Sequence, residues 1–416
     1  MRRRFFVNSS EKIDLDKPYF CIEALENMLN VKLSVNACEY SLDGNTWTTL
    51  SSATNTISIN KGQILAFRGN LTPIQYKGIG TFTISKKCNV KGNIMSLLYG
   101  DDFEGQIDLT DKDHVFYNLF SSCKTIVDAS ELILPATKLA PYCYSSMFGG
   151  CTSLTTAPKL PATTLANNCY ENMFRNCSNL TTAPELPATT LAYYCYEDMF
   201  YGCTSLTTAP ELPATTLARS CYRSMFGGCT SLTTAPALPS TKLAPYCYSS
   251  MFGGCTSLTT APALPATTLI EYCYYAMFSG CTSLTTAPAL PKNSISYCCY
   301  YAMFSGCTSL TTAPELPATT LYDSCYYSMF EGCTSLTTAP KLPATTLANY
   351  CYANMFNSCN KLNYIKMLAT DISASNCLAD WVSGVSSTGT FVKHPDMNSL
   401  PAGTSGIPNG WTVVNN

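Results

Sequence analysis

Apolar residues return in the same order at a fixed interval through the middle of the chain. The block CTSLTTAPxLPATTLAxxCYxxMFxG begins at Cys151, and its leading cysteine stands at every twenty-sixth position up to Cys359, so that eight copies fill residues 151–358 without a gap. A slightly longer copy runs from Cys123 to Gly150, and a degenerate copy follows Cys359. Repetition at a period of about 20–50 residues is typical of a solenoid, in which each unit buries its apolar face against its neighbours.

Within one unit the spacing of the apolar positions changes halfway. Residues 154–157 are predicted as a short strand, which Pro158 ends because proline cannot donate a ladder hydrogen bond. Further on, Leu165, Cys169 and Met173 stand four positions apart, which predicts one face of a short helix. Stacked units of this kind form an α/β solenoid with a parallel sheet on one face and short helices on the other. A period of 26 residues also lies within the range of about 20–29 for leucine-rich repeats.

Both flanks of the repeats follow different patterns. Residues 1–100 alternate between apolar and polar positions and carry a hairpin signal at Asp43-Gly44, which predicts an all-β sandwich of immunoglobulin-like scale. The repeat array is then predicted to span 101–382, and residues 383–416 are predicted to close its C-terminal end.

The closing segment is predicted from its aromatic and β-rich residues. Trp381 is larger than the methionine that it replaces and is expected to cover the last unit. Thr390–Lys393 and Trp411–Val414 are predicted as short strands along the open edge. Such caps are expected because the exposed end of an array is an apolar, unpaired surface.

Composition narrows the class of partner. Charged residues make up 12% of the chain, and 25 basic against 27 acidic residues give a net charge of −2. This balance predicts neither a nucleic-acid partner nor attraction to an anionic membrane surface, and 46% hydrophobic residues exclude disorder of the whole chain. The sequence has no run of about 18 consecutive apolar residues, so no membrane span is predicted. The segment from Asn8 to Lys12 is polar, so no apolar region of signal-peptide length follows Arg2–Arg4 and no secretory signal is predicted.

Most of the 24 cysteines fall into two columns of the repeat, ten from Cys123 to Cys359 and nine from Cys143 to Cys351. Parallel side chains one unit apart do not suit a disulfide, and the spacing within a unit does not match a metal site. The columns are therefore predicted as small buried apolar residues with inert thiols. Outside them, Cys298 is expected to be exposed. One unassigned disulfide is expected among three N-terminal cysteines, Cys21, Cys38 and Cys88.

No catalytic, metal or cofactor site is predicted. His114 and His394 lie at the two ends of the array without an adjoining nucleophile. Glu185 and Glu211 occupy one column on neighbouring units, which resembles the carboxylate spacing of a retaining glycosidase, but side chains pointing the same way into water do not enclose a substrate. An enzyme is therefore the least favoured class.

The same column predicts weak surface electrostatics. It places Lys159 beside Glu185 and Glu315 beside Lys341, opposite charges one unit apart. Exposed pairs of this kind contribute under about 1 kcal/mol each, so they are expected to help order the units rather than to form a site.

Tyrosines are the candidate contact residues, because they lie at positions that change from unit to unit. Two interpretations remain open: the rings contact a sugar or protein partner, or they pack on neighbouring units and shield the layer beneath. The predicted ligand-contact surface comprises Tyr194, Tyr272, Tyr275, Tyr301 and Tyr327.

The unit resembles the bacterial surface leucine-rich repeat family of BspA type. The residues that match its motif column by column are Cys151, Leu154, Leu160, Pro161, Phe174 and Cys177. This resemblance covers about 123–382 and implies a non-enzymatic adhesin or recognition protein at the cell surface or outside the cell, which binds a host or neighbouring-cell protein or glycan. A phage or injection-device tail component is the alternative, with a virion-associated or cytoplasmic location.

Overall fold

The computed structural model of the chain describes residues 16–34, 38–51, 56–74, 77–291, 295–397 and 400–416. Its regular elements are concentrated at the two ends. The N-terminal strands are β1 (Phe20–Ala24), β2 (Leu29–Leu33), β3 (Cys38–Ser41), β4 (Thr48–Thr49), β5 (Thr56–Ile59), β6 (Ile64–Gly69), β7 (Phe82–Ile84) and β8 (Cys88–Asn93). Helix α1 (Ser96–Tyr99) and a 3-10 turn (Gly100–Asp102) follow them.

Two sheets share the N-terminal core. One runs in the order β4-β3-β6-β1-β8 with antiparallel neighbours, and the other in the order β5-β2-β7. Phe82 of the smaller sheet contacts Phe20 and Phe67 of the larger one at ring-centroid distances of 5.4 and 5.2 Å. Alternating burial along β2 shows why apolar and polar residues alternate in this part of the sequence.

The N-terminal sheet continues directly into the repeats. Strand β8 pairs in parallel with β9 (Ile126–Asp128) and β10 (Leu132–Ile133), which belong to the first unit. The buried ring of Phe82 also lies 5.6 Å from Phe120, which starts the phenylalanine column of the array. The first unit is thereby covered by β8, and the predicted boundary near residue 100 stays a prediction.

In the array, the predicted strand of each unit shrinks to single-residue parallel bridges. Thr156 pairs with Thr182 and Thr182 with Thr208, each 26 residues apart, and equivalent bridges recur further along. The prolines that follow prevent the bridges from lengthening into a ladder, since they lack the N–H donor. The parallel alignment predicted for this face is present, but it is sparse.

The predicted short helices do not form, and consecutive turns stand in their place. Among the described residues α1 is the only α-helix. In residues 166–177 and their equivalents, here called the turn segment, every second amide closes a turn, as Glu171 N–H does to the Asn168 carbonyl at 3.2 Å. The amides between them cross to the next unit, as Tyr170 N–H does to the Cys195 carbonyl at 3.1 Å.

Left-handed residues at every fourth position explain this geometry. Asn168, Asn172 and Asn176 have φ of 57°, 56° and 58°, and the equivalent positions of later units are also positive. Such residues end a right-handed helix, because L-residues visit this region singly. The four-residue spacing of Cys169 and Met173 therefore reports a chain of turns rather than a helix of 3.6 residues per turn.

Each turn segment contributes one tyrosine and one phenylalanine to buried stacks that run through the array. Tyr170 and Tyr196 lie 5.9 Å apart with an interplanar angle of 5°, and Phe174 and Phe200 lie 5.6 Å apart at 4°. All four rings are buried together with the cysteines beside them. Identical side chains stacked in register make the interior continuous from unit to unit.

The C-terminal end of the array is a three-stranded parallel sheet in the order β11-β12-β13. Its strands are β11 (Tyr364–Met367), β12 (Thr390–Lys393) and β13 (Thr412–Asn415). The strand predicted at Thr390–Lys393 is confirmed, and the one predicted at Trp411–Val414 begins one residue later. Trp381 is buried, 6.1 Å from Phe356 in the last unit, as expected of a covering residue.

Candidate recognition surface

Side chains that differ between units are concentrated on the turn segments. In the segment 166–177, the side chains at 166–168, 171–172 and 175–176 are partly or fully exposed, while the positions between them hold the buried cysteine, tyrosine, methionine and phenylalanine columns. Backbone amides of this segment donate to carbonyls of the next unit at N···O distances of 2.7–3.3 Å. These hydrogen bonds hold the variable side chains of neighbouring units in register. Any surface built here therefore extends along the array.

Four of the five predicted contact tyrosines come together on this face. The rings of Tyr275 and Tyr301 lie 4.8 Å apart, and those of Tyr301 and Tyr327 lie 4.5 Å apart. Tyr272 is 6.0 Å from Tyr275 and joins the second position of the segment to the first. Tyr194 lies apart from them, because Ser220 occupies the next unit in its column.

One further tyrosine, which the sequence did not single out as a contact residue, lies on the same face. Tyr246 stacks on Tyr272 at 4.5 Å and 6°. The signal for it was present, since Tyr246 stands 26 positions before Tyr272 in the same column as Tyr194. The five residues brought together by the structure, here called the tyrosine surface, are Tyr246, Tyr272, Tyr275, Tyr301 and Tyr327.

Two phenol groups of this surface, those of Tyr272 and Tyr301, have raised pKa values. A hydrogen bond with the Cys298 thiol raises the pKa of Tyr272 to about 12, and burial raises the pKa of Tyr301 to about 12. Tyr327 accepts a hydrogen bond from the Asn354 side-chain amide at 3.0 Å. The surface therefore presents hydroxyl groups and ring edges, while the faces of neighbouring rings cover one another.

A charged cluster lies on the turn segments of earlier units. Arg223 pairs with Glu197 at 3.0 Å, and Arg175 forms an ion pair with Asp198. Burial raises the pKa of Glu197 to about 7, although Arg223 acts in the opposite direction. Glu171 is held by side-chain amides, and burial raises its pKa as well.

An arginine connects the two parts of this face. The guanidinium of Arg219 lies 4.9 Å from the ring centroid of Tyr246 and 3.8 Å from a carboxylate oxygen of Glu271. A cation over the ring face at the end of a stack is a favourable cation–π arrangement. The charged cluster and the tyrosine surface are therefore adjoining parts of one face.

The other sequence candidates do not form a site. His114 is buried at the N-terminal end of the array and stacks on Tyr142 at 4.6 Å, and burial lowers its pKa. Glu185 and Glu211 are both exposed. No group of three or more His, Cys, Asp or Glu side chains suitable for a metal ion occurs in the part of the chain that the structure describes.

The ion pairs predicted for the column that contains Lys159 and Glu185 are also not formed. Within the described ranges, neither Lys159 and Glu185 nor Glu315 and Lys341 approach to 4.0 Å. All four residues are exposed and lie outside the tyrosine surface. The interpretation of this column as an ordering device is therefore wrong.

Every cysteine is a free thiol, so the expected N-terminal disulfide is wrong. Cys21 and Cys88 lie on paired strands but out of register, since Cys88 stands opposite Ala24. Cys298, expected to be exposed, is half-buried against Tyr272.

The thiols of the first cysteine column, from Cys123 to Cys359, are buried as predicted, but they also form hydrogen bonds. Each donates a hydrogen bond to a phenylalanine carbonyl of a preceding unit, as Cys255 does to Phe226 at 3.1 Å. The same contact recurs from Cys151 to Cys359 at 3.0–3.2 Å. The column therefore links neighbouring units through a row of buried polar contacts.

Comparison with known families identifies the repeat. The BspA type leucine-rich repeat region matches the chain in six copies, over residues 113–259, 195–337 and 290–378. The chain belongs to this family. The BspA type repeats extend over 113–378, more than half of the chain, in agreement with the resemblance found in the sequence.

Solved structures of other leucine-rich repeat proteins are similar to this BspA type chain at low identity. A leucine-rich repeat protein from Bacteroides ovatus is 15% identical, with 80% of this chain and 95% of that chain covered and a TM-score of 0.30. One from Eubacterium ventriosum is 13% identical, with 80% and 93% covered and a TM-score of 0.39. No curated protein matches the chain. None of the described helices is long and apolar enough to cross a membrane.

Proposed function

We propose that this BspA type repeat protein is a non-enzymatic recognition protein that binds a protein partner through the tyrosine surface. The observation that carries the proposal is the joining of Tyr246, Tyr272, Tyr275, Tyr301 and Tyr327 into one partly exposed patch. Tyrosine supplies a large contact area with little loss of conformational entropy, which suits it to protein interfaces. A cell-surface or extracellular location belongs to the same proposal and rests on the family.

The stacking geometry favours a protein over a glycan. A sugar that packs on tyrosine needs a free ring face, but Tyr301 lies between Tyr275 and Tyr327 at 4.8 and 4.5 Å. What remains accessible are ring edges, which carry positive partial charge, and hydroxyl groups. A protein surface with carbonyl or carboxylate oxygens complements such edges.

The charged cluster adds orientation to this contact. Arg223 and Glu197 lie at the turn positions that Tyr275 and Tyr301 occupy further along. Charged groups beside an apolar contact act on register and association rate more than on affinity. A partner that covers both parts would therefore bind in one direction along the array.

Surface plasmon resonance against a panel of purified extracellular host and bacterial proteins tests the proposal. Saturable binding is expected for the full chain, with a loss of tenfold or more, about 1.4 kcal/mol, when Tyr275 and Tyr301 are both changed to alanine. The matched control is Tyr297→Ala with Tyr322→Ala. These tyrosines are 51% and 38% exposed and lie outside the tyrosine surface. Equal loss in both variants, or none in either, would contradict the proposal.

A further inference from the structure

Two neighbouring units part from each other at their proline segments near the C-terminal end of the array. The amides of Ala339 and Leu342 donate to carbonyls of β11 at 2.9 and 3.0 Å, so residues 337–343 are drawn towards that strand. On the other side, no backbone hydrogen bond among the described residues joins 337–343 to 311–317. A cleft of about 310 Å³ opens between the two segments.

Prolines line both sides of this cleft. Pro314 and Pro317 line one wall, and Pro340 and Pro343 line the other. Because proline has no N–H, these positions cannot contribute donors to a ladder across the gap. The lining also includes Ala313 and the buried side chain of Leu316, so the larger part of the cleft surface is apolar.

Opposite charges stand on the two segments that line the cleft. Glu315 belongs to one segment and Lys341 to the other; both are exposed, and they do not come within ion-pair distance of each other in the described structure. A carboxylate and an ammonium separated by an apolar floor complement a ligand that carries the reverse charges on an apolar body. A volume of about 310 Å³ lies at the small end of the range of about 300–1,000 Å³ for ligand sites.

We propose that this cleft is a binding site for an apolar amino acid in its zwitterionic form. The ligand ammonium contacts Glu315, its carboxylate contacts Lys341, and its side chain packs on the proline walls and Leu316. The site is independent of the tyrosine surface, which lies on the turn segments. Both ionic contacts are exposed to water, so the affinity is expected to be millimolar.

Saturation-transfer difference NMR on the full chain suits an affinity in this range. The probes are L-phenylalanine, N-acetyl-L-phenylalanine, which lacks the ammonium, and L-phenylalaninamide, which lacks the carboxylate. Phenylalanine is expected to saturate at a few millimolar, about −3 to −4 kcal/mol, and each derivative to bind about threefold more weakly. No saturation of the phenylalanine signal up to about 10 mM would overturn the proposal.

Removing the charge of Lys341 or of Glu315 tests which residue binds the carboxylate of the ligand and which binds its ammonium. Lys341→Ala is expected to weaken phenylalanine about threefold while leaving the amide unchanged, and Glu315→Ala is expected to leave the N-acetyl derivative unchanged. The matched controls are Lys159→Ala and Glu185→Ala, exposed residues of the same column in earlier units. Both controls should bind like the unmodified chain. A response that does not depend on Lys341 or Glu315, or that the controls share, would show that the cleft is not the site.

Discussion

The phenylalanine carbonyls of the array show what a single buried cysteine contributes. The Phe252 carbonyl accepts the Cys255 amide of its own turn at 3.0 Å and the Cys281 thiol at 3.1 Å. A carbonyl has two lone pairs, and burial without partners costs free energy, so the thiol occupies an acceptor site that water cannot reach. Burial also raises the pKa of Cys281 to about 12, which keeps the donor proton in place.

Serine substitution in the two cysteine columns separates hydrogen bonding from packing. Cys255→Ser keeps a donor within reach of the Phe226 carbonyl, whereas the Cys247 thiol makes no such bond to a carbonyl in the described structure. We expect Cys255→Ser to cost under about 1 kcal/mol of unfolding free energy and Cys247→Ser about 1–3 kcal/mol. Urea unfolding followed by circular dichroism measures both. The reverse order would show that the thiol bond contributes nothing.

Glu197 makes stability depend on pH in a direction opposite to an ordinary ion-paired carboxylate. Burial raises its pKa to about 7 from a usual value of 4.5, so the folded chain holds a proton that the unfolded chain releases. Its contribution is therefore most favourable below pH 4.5 and declines as pH rises through about 7. The thermal unfolding midpoint of the unmodified chain is expected to decline between about pH 5 and 8, and we expect a smaller decline in Glu197→Gln.

The exposed Glu185 provides the control for this titration. Glu185→Gln lies outside the charged cluster and should follow the unmodified chain at every pH. An unchanged slope in Glu197→Gln would mean that the carboxylate is already ionised in the folded chain at pH 5.

Among the elements of the array, the repeat period is correctly predicted from the sequence, but the helix predicted in each unit is wrong. Leu165, Cys169 and Met173 fit a helical face, and the same spacing fits turns of four residues. Asn168, Asn172 and Asn176 carried the distinguishing signal, because asparagine tolerates φ above zero and recurs at every fourth position. Apolar periodicity alone could not decide, since hydrogen bonds to the next unit exist only after stacking.

Two adjacent glycines distinguish turns from a helix by experiment. Gly254 has φ of 73°, whereas Gly253 lies outside the left-handed region, and an added Cβ at Gly253 meets nothing closer than 3.4 Å. We expect Gly254→Ala to lower the unfolding free energy by about 1–2 kcal/mol. Gly253→Ala should be neutral or stabilise by under about 1 kcal/mol. In a helix both changes would stabilise, so urea midpoints of the two variants decide the question.

In the whole molecule, the tyrosine surface follows from the stacking of units. Tyr275, Tyr301 and Tyr327 are 26 residues apart, and their column was readable from the sequence. The accessibility of their ring faces was not readable from the sequence, because whether neighbouring rings stack or splay depends on the geometry between units. The contact between Tyr272 and Tyr275, at 6.0 Å, joins two positions of the same turn segment. The sequence thus predicted four tyrosines that the structure brings together, and the turn geometry determined which parts of their rings are accessible.

Stacking also predicts how the molecule loses structure from its C-terminal end. Trp381 contacts Phe356 and Phe391 at 6.1 and 6.2 Å and donates from Nε1 to the Gly406 carbonyl at 2.9 Å. Trp381→Ala removes these contacts and is expected to destabilise the end of the array locally by about 3–5 kcal/mol. Since each unit packs only on its neighbours, the loss should not spread far along the solenoid.

Hydrogen exchange read by mass spectrometry measures this locality. Amides in 359–416 should lose protection in Trp381→Ala, while the crossing amides of units 151–250 keep theirs, such as Tyr170 N–H to the Cys195 carbonyl. Tyr297→Ala, at an exposed position, should leave both regions unchanged. A uniform loss of protection along the whole array in Trp381→Ala would mean that the units unfold as one cooperative body, and that the cap stabilises every unit rather than the last ones.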